Sequence, residues 1–203
     1  MTPFTNLKAK GLPLGLENVD TDQILPARFL ALKPEDGYAD YCFRDLRFDA
    51  DGSPLSVTPL NSKDYAGAMI LIAGSNFGCG SSREGAVYAL QHLGFRAVIA
   101  ESFGDIFYQN ALVNGLLPVQ TGGETVGQIL AHLRARPDAC IHVDLEAQTV
   151  HVDGGVRFGF QIDPFKKHCL LNGVDEIGFT LGFLETIRRY EMTRDVSGGG
   201  RVG

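Results

Sequence analysis

The stretch Asn76-Phe-Gly-Cys-Gly-Ser-Ser-Arg-Glu-Gly-Ala-Val-Tyr-Ala-Leu90 joins a glycine-rich turn directly to a helical pattern. An apolar run long enough for one buried strand precedes it at 68–73, and a second follows at 96–100. Two such runs on either side of a helical pattern predict a β-α-β unit with parallel strands. In these units ligands bind at the carboxyl ends of the strands, which is where this turn lies.

The residues of the turn predict an anion site. Gly78 and Gly80 permit positive φ and let a ligand approach the backbone closely. Ser81 and Ser82 are favoured N-cap residues, so we expect the helix to begin at one of them, with Arg83 in its first turn. Free N–H groups, two hydroxyls and a guanidinium would then face one point. Because a guanidinium fork matches a carboxylate or phosphate, the pattern favours a small acidic ligand.

By itself this turn does not define a function. It lacks the third glycine of the dinucleotide fingerprint and the Gly-Lys-Ser/Thr of the P-loop. It also differs from the Gly-x-Ser-x-Gly elbow of hydrolases. Residue types alone leave two interpretations equally open: an anion site, and a capped core helix that binds nothing.

The whole string at 76–84 closely resembles the signature of the small, swivelling domain of the aconitase superfamily, and more narrowly that of the small subunits of isopropylmalate isomerases. Three further segments support the resemblance, at 18–30, 101–110 and 163–178. The resemblance implies an α/β fold, the three-layer β/β/α swivelling domain of the aconitase C-terminal type. We expect one domain over 1–196 and a flexible tail over 197–203.

The remaining patterns fit this fold. Before the glycine turn, the sequence predicts a strand within 4–16 with a turn at Gly11, a polar capping turn at 18–22, and a loop region at 33–64 with a short helical pattern at 38–46. After it, the sequence predicts a helix at 103–114 ended by Gly115, an amphipathic helix at 124–134 and a hairpin over 140–152. A helix opened by Asp163-Pro164 and closed by Gly173 and a final helix at 183–192 complete the prediction. The β-rich stretch after residue 140 argues against a plain doubly wound sheet. It favours a compact β/β/α sandwich.

The composition of the chain limits its possible partners and cellular compartment. A chain of 203 residues with 44% hydrophobic content suits one sizeable core. Its net charge of -6 opposes a nucleic-acid partner, which would require a basic surface. No apolar run approaches the ~20 residues of a membrane span, and the first residues lack a signal-peptide pattern. We therefore expect a cytoplasmic protein.

The resemblance also implies roles for individual residues. Ser81 would be the base, acting as an alkoxide that moves a proton next to a substrate carboxylate. Ser82 and Arg83 would hold a carboxylate of a small dicarboxylate substrate. Asp22 and Arg28, in the segment at 18–30, would line the same site.

Cysteine spacing bears on the cofactor. The four cysteines are scattered without a Cys-x-x-Cys pair, which is typical of reduced thiols. In this family the leaving hydroxyl is taken by the open iron of a four-iron four-sulfur cluster. Since this chain has no cluster motif, we expect the cluster on a separate large subunit, and this chain to be an inactive half of a hydro-lyase of leucine biosynthesis. For Cys79 we expect packing rather than reactivity.

One departure keeps alternatives open. Where the family usually has histidine after Arg-Glu, this chain has Gly85. A related hydro-lyase acting on another malate derivative, of citramalate, dimethylmalate or homoaconitate type, is therefore a second prediction. Two other classes remain: a non-catalytic subunit that binds acidic metabolites, and a serine hydrolase that pairs Ser81 or Ser82 with His92.

Two histidines have the side chains to bind a metal ion. His142 and His151 have the same phase on the two strands of the predicted hairpin. A solvated strand face is the favoured interpretation of this pair, because exposed strand residues alternate in the same way.

Overall fold

The computed structural model describes residues 1–31, 37–80 and 83–193. Its strands are β1 (Asn6–Pro13), β2 (Ile70–Ile72), β3 (Ala97–Ala100), β4 (Leu117–Gln120), β5 (Cys140–Asp144), β6 (Thr149–Val152) and β7 (Arg157–Gly159). Its helices are α1 (Thr21–Ile24), α2 (Tyr38–Tyr41), α3 (Arg44–Arg47), α4 (Glu84–His92), α5 (Asp105–Asn114), α6 (Gly123–Ala135), α7 (Pro164–Asn172), α8 (Glu176–Leu181) and α9 (Leu184–Thr193). Among these described helices, none has the length and apolar character that crossing a bilayer requires. The predicted tail at 197–203 lies outside the described residues.

All seven strands form one sheet in the order β4-β3-β2-β1-β5-β6-β7. Strands β1 to β4 are parallel, whereas β5 to β7 are antiparallel extensions. Strand β1 belongs to both halves, because Gly11 pairs with Ile70 in parallel register and Asn6 pairs with Asp144 in antiparallel register. The predicted parallel unit around the glycine turn and the predicted hairpin are both confirmed.

Two apolar cores lie on opposite faces of the parallel strands. Leu71 of β2 joins a core built with the helices α1, α2 and α4. Its neighbours Ile70 and Ile72 point the other way, into a core shared with α6 and with Val143 and Val150 of the antiparallel strands. Helices α1, α2 and α4 therefore cover one face, and α6 together with the curled antiparallel half contributes the core on the other, in agreement with the predicted β/β/α fold.

Two predicted helix ends are confirmed by their backbone. Gly115 follows α5 with φ of 83°, the left-handed conformation that favours glycine at a helix end. Asp163 caps α7 by accepting a hydrogen bond from the Lys166 N–H, and Pro164 occupies the first turn.

The predicted turn at Gly11 is wrong. Gly11 lies inside β1 and pairs with β2. A Cβ atom at this position would lie 2.7 Å from Ile141 Cδ1 and 2.8 Å from Leu133 Cδ1. Glycine is present because core side chains from distant elements converge over it, and a local pattern does not show such packing.

We predict that Gly11→Ala destabilises the fold by about 1–3 kcal/mol, because the contacting side chains are fully buried and must shift. The matched control is Gly127→Ala on the exposed side of α6, where a Cβ meets nothing within 4 Å. That change should stabilise by about 0.5–1 kcal/mol through helix propensity. Urea unfolding of both variants measures the difference, and equal shifts would contradict the packing argument.

Candidate active site

The candidate site is built by loops that leave the carboxyl ends of β1, β2 and β3. The glycine turn after β2 is bonded to the loop after β1 through the backbone: the Gly78 N–H donates to the Val19 carbonyl and the Thr21 N–H donates to the Cys79 carbonyl, each at 2.8 Å. These bonds hold the turn and the start of α1 side by side.

On its other side the turn is bonded to the loop after β3. The Phe77 N–H donates to the Ser102 carbonyl, and the Gly104 N–H donates to the Phe77 carbonyl, each at 2.9 Å. A Cβ at Gly104 would lie 2.6 Å from the Gly78 carbonyl oxygen, and a Cβ at Gly78 would lie 2.2 Å from Phe107 Cγ. The three loops therefore meet so closely that neither glycine has room for a side chain.

Asp20 fixes the start of α1. Its side chain accepts from the Asp22 N–H at 2.6 Å. It also accepts from the Gln23 N–H, and its own N–H donates to Gln23 Oε1 at 2.8 Å, so Asp20 and Gln23 make a capping box. The predicted capping role of this polar turn is confirmed. A Cβ at Gly80 would lie 2.5 Å from Asp20 Oδ2, so the same carboxylate also packs against the glycine turn.

Asp22 and Arg83, both predicted as site residues, come together as an ion pair although 61 residues separate them. Their side chains remain 51% and 30% exposed. A pair this solvated contributes about 0–1 kcal/mol to stability, so it orients the guanidinium without locking it. Since a guanidinium has five N–H donors, the pair leaves Arg83 capacity for a second acceptor.

The predicted helix start needs correction. Helix α4 begins at Glu84, and Arg83 is its N-cap residue in an extended conformation, with φ of -125°. Arg83 therefore precedes the helix instead of lying in its first turn. Ser81 and Ser82, the predicted base and its neighbour, lie outside the described residues.

A cavity of about 230 Å³ opens beside the ion pair. It is lined by Thr21, Gly78, Cys79, Gly80, Arg83, Gly104, Asp105, Ile106 and Phe107. The first turn of α5 forms one wall, so free N–H groups and a positive helix end lie near the guanidinium. The acidic Asp105 in that turn opposes part of this positive field. The volume is below the ~300–1,000 Å³ of typical small-molecule pockets.

Sequence reasoning did not identify the wall formed by Asp105, Ile106 and Phe107. The segment at 101–110 supports the family resemblance, but its residue pattern does not predict that it lines a cavity. Within this wall, Ile106 is 50% exposed and Phe107 is buried.

Arg28 takes a different position. Its guanidinium forms an ion pair with Asp45 beside α3 and lies over the Phe29 ring, 4.7 Å from the ring centroid. The hydrogen bond to Asp45 raises the pKa of Arg28 above its ordinary value. Arg28 does not line the cavity, so the structure groups Asp22 with Arg83 and leaves Arg28 apart.

Cys79 lines the cavity as a half-buried thiol. Burial, and secondarily the Asp20 charge, raise the pKa of Cys79 above its ordinary value. Both effects disfavour the thiolate, which is the reactive form.

The donor set of the described residues does not fit an iron–sulfur cluster. Such clusters are held by several cysteine thiolates. Among residues 1–31, 37–80 and 83–193, the one group of three metal-binding side chains with ligand atoms close together is His142, His151 and Asp153, which contains no cysteine.

Comparisons with known proteins show the family of the chain. The aconitase C-terminal domain model matches residues 1–124, and a second model, LeuD_N, matches 128–164. The 3-isopropylmalate dehydratase small subunit of Phenylobacterium zucineum is 49% identical over 96% of this chain and 95% of that protein. The corresponding protein of Chloroflexus aurantiacus is 48% identical over 95% of this chain and 96% of that protein.

A solved structure is also similar. The crystal structure of 3-isopropylmalate dehydratase from Methanocaldococcus jannaschii superimposes with a TM-score of 0.63 at 26% identity, and covers 92% of this chain and 99% of that chain. The match to the aconitase C-terminal domain spans more than half of the chain. The chain belongs to the aconitase C-terminal domain family and, within it, to the 3-isopropylmalate dehydratase small subunits.

Gly85 packs in the first turn of α4 against the apolar side chains beside α1. A Cβ there would lie 3.1 Å from Leu25 Cδ2 and 3.3 Å from Leu30 Cδ2. Gly85 does not line the cavity. The absence of histidine at this position therefore changes packing behind the site more directly than the cavity itself.

We predict that Gly85→His destabilises the protein by about 1–3 kcal/mol, because the imidazole must displace Leu25, which is 1% exposed. Gly85→Ala is the control: its gain in helix propensity of about 1 kcal/mol offsets mild crowding, so it should be near neutral. Thermal unfolding of both variants measures this, and an unchanged midpoint in Gly85→His would refute the packing assignment.

We predict that Cys79 reacts with iodoacetamide at pH 8 more slowly than a free thiol such as glutathione, because its raised pKa leaves little thiolate. Peptide mass mapping after timed alkylation gives the rate. Urea-unfolded protein is the control, in which Cys79 should react at the ordinary thiol rate. Equally fast reaction in the folded protein would contradict the assignment.

Proposed function

We propose that this chain is the small subunit of a two-subunit hydro-lyase that interconverts 2-isopropylmalate and 3-isopropylmalate by dehydration and rehydration, in leucine biosynthesis. One observation carries the proposal: in a chain nearly half identical to curated small subunits, Arg83 and the start of α5 face a cavity at the carboxyl edge of the sheet. A half-site that presents a guanidinium and a helix N-terminus suits one end of a small diacid.

The first role of this chain is to bind a substrate carboxylate. Arg83 takes that carboxylate in place of, or together with, the Asp22 carboxylate. Because the exposed pair with Asp22 contributes only about 0–1 kcal/mol, the exchange costs little. Asp22 keeps the guanidinium at the cavity before substrate arrives, which reduces the cost of ordering it on binding.

The second role is proton transfer by Ser81, with Ser82 as an additional hydroxyl donor to the bound carboxylate. Gly80 and Arg83, the described residues on either side of the two serines, both line the cavity. A serine alkoxide is a strong base that requires stabilisation, and nearby N–H donors together with the Arg83 charge supply it. Arg28 has no part in this mechanism as long as it stays paired with Asp45.

The third requirement is a Lewis acid for the departing hydroxyl. We assign it to a four-iron four-sulfur cluster on the large-subunit partner, since the donor set of the described residues does not fit one. The cavity of about 230 Å³ is then one wall of a larger site that the partner completes. All four cysteines are unpaired, which agrees with assembly in the reducing cytoplasm.

The hydrolase alternative has a geometric obstacle. His92 is the last residue of α4, nine residues long, whereas the serines precede that helix. At a rise of about 1.5 Å per residue, His92 lies roughly 12 Å along the axis from Glu84. Its ring lies beside Tyr38, with centroids 6.2 Å apart. Binding of a carboxylate by Arg83 does not select among malate derivatives, because these differ in the side chain of the substrate.

We predict that Ser81→Ala lowers kcat by about 10²–10⁴-fold in the enzyme reconstituted anaerobically with its large subunit, because general base catalysis is lost. Arg83→Lys should raise KM by about 10–100-fold, since an ammonium cannot bind a carboxylate bidentately. The matched control is Arg189→Lys on the exposed helix α9, which should leave both constants unchanged. Conversion is followed in both directions with 2-isopropylmalate and 3-isopropylmalate.

Each contrary outcome has a distinct meaning. Full activity of Ser81→Ala removes that residue as the base. Faster turnover of citramalate than of isopropylmalate replaces the substrate, whereas a stable complex that turns over none of these acids supports a binding subunit. Ester hydrolysis by the isolated chain, lost in Ser81→Ala, would revive the hydrolase.

A further inference from the structure

A second cluster of functional side chains lies on the antiparallel half of the sheet. His142 on β5 is directly opposite His151 on β6 in the strand register. Their rings are 5.7 Å apart between centroids. Directly paired residues on antiparallel strands project their side chains to the same face, so the two imidazoles share one surface.

The turn after β6 adds a third ligand. Asp153 Oδ1 lies 2.9 Å from His142 Nε2. The backbone of Asp153 is fixed as well, because its N–H donates to the Cys140 carbonyl and its own carbonyl oxygen lies 2.9 Å from His132 Nε2 on α6. One ligand atom from each of His142, His151 and Asp153 lies within 4.8 Å of the other two.

We propose that these three side chains bind one divalent transition-metal ion of the class that prefers imidazole, such as Zn²⁺ or Ni²⁺. Such ions take histidine nitrogen at about 2.0–2.1 Å and carboxylate oxygen at about 2.0–2.2 Å, so neighbouring ligand atoms lie about 3–3.4 Å apart. His142 Nε2 and Asp153 Oδ1 are 2.9 Å apart in a hydrogen bond, so these two atoms need to separate only slightly to bind one ion. A small rotation of the His151 ring brings in the third ligand, and water completes the coordination.

The charges around the cluster permit a cation. His142 and His151 line a surface depression of about 420 Å³. Asp144 lines it as well and adds a second carboxylate nearby. Arg157, which pairs with His151 in the strand register, also lines it and opposes the cation. His142 and Asp153 are 37% and 42% exposed, so an ion can enter without any backbone movement.

Bound metal would connect β5, β6 and the turn at Asp153, which itself contacts α6. An ion that binds only the folded chain stabilises that state in proportion to its occupancy. None of the three ligands lines the cavity beside Arg83. The metal site is therefore separate from the cavity proposed for the isomerase reaction.

The test uses the full chain without a histidine tag. Isothermal titration with Zn²⁺ and with Ni²⁺ should show one ion per chain, and the thermal unfolding midpoint should rise with added metal. His142→Asn and His151→Asn should each weaken binding at least about 10-fold, and Asp153→Asn about 10-fold. His168→Asn is the matched control: this histidine lies on α7, is exposed, and should leave binding unchanged.

Substitution with Co²⁺ separates histidine ligation from thiolate ligation. The expected visible spectrum is that of nitrogen and oxygen ligands, unchanged in Cys140→Ser and lost in His151→Asn. The proposal is overturned if His151→Asn binds as tightly as the wild type, if the spectrum shows thiolate charge transfer, or if binding is not saturable. Activity of His151→Asn in the reconstituted enzyme should equal that of the wild type, which separates this test from that of the proposed function.

Discussion

The close backbone contact between the loops after β2 and β3 is the constraint on which the site depends. The Gly78 carbonyl oxygen occupies the space that a side chain at Gly104 would need. On the other flank, Val19 and Thr21 bond the same turn through their backbone groups. Because the three loops touch without side chains between them, the start of α1 and the start of α4 are brought within ion-pair distance. Looser loops would leave Asp22 and Arg83 on separate surfaces.

The two halves of the sheet have different consequences for function. All parallel strands point their carboxyl ends to one edge, so their loops converge and form the cavity. The antiparallel half returns through tight turns, and side chains on its surface are fixed by strand register instead. The first arrangement positions backbone N–H groups and a guanidinium for an anion. The second positions His142 opposite His151, where the turn at Asp153 adds the carboxylate that the strand pattern alone lacks.

Several features were predictable because their causes are local. The apolar runs around the glycine turn give β2 and β3, and Gly115 ends α5 because its own backbone is left-handed. Features that depend on packing between residues far apart in the sequence were not predicted correctly. Gly11 was predicted as a turn, but it is a strand residue beneath Ile141. The helix start was placed at the serines, whereas the backbone becomes helical only at Glu84. The resemblance named Asp22 and Arg83, but nothing in the sequence showed that they pair.

Strand β1 is synthesised before its antiparallel partner, strand β5. It leaves the ribosome well before β5, so Asn6 waits for Asp144 before its antiparallel edge is satisfied. At about 5–20 residues per second, the interval between the two is of the order of ten seconds. During it, β1 exposes an unpaired edge of the kind that recruits other extended chains. The strand that unites the finished sheet is thus a segment of the nascent polypeptide that chaperones would protect.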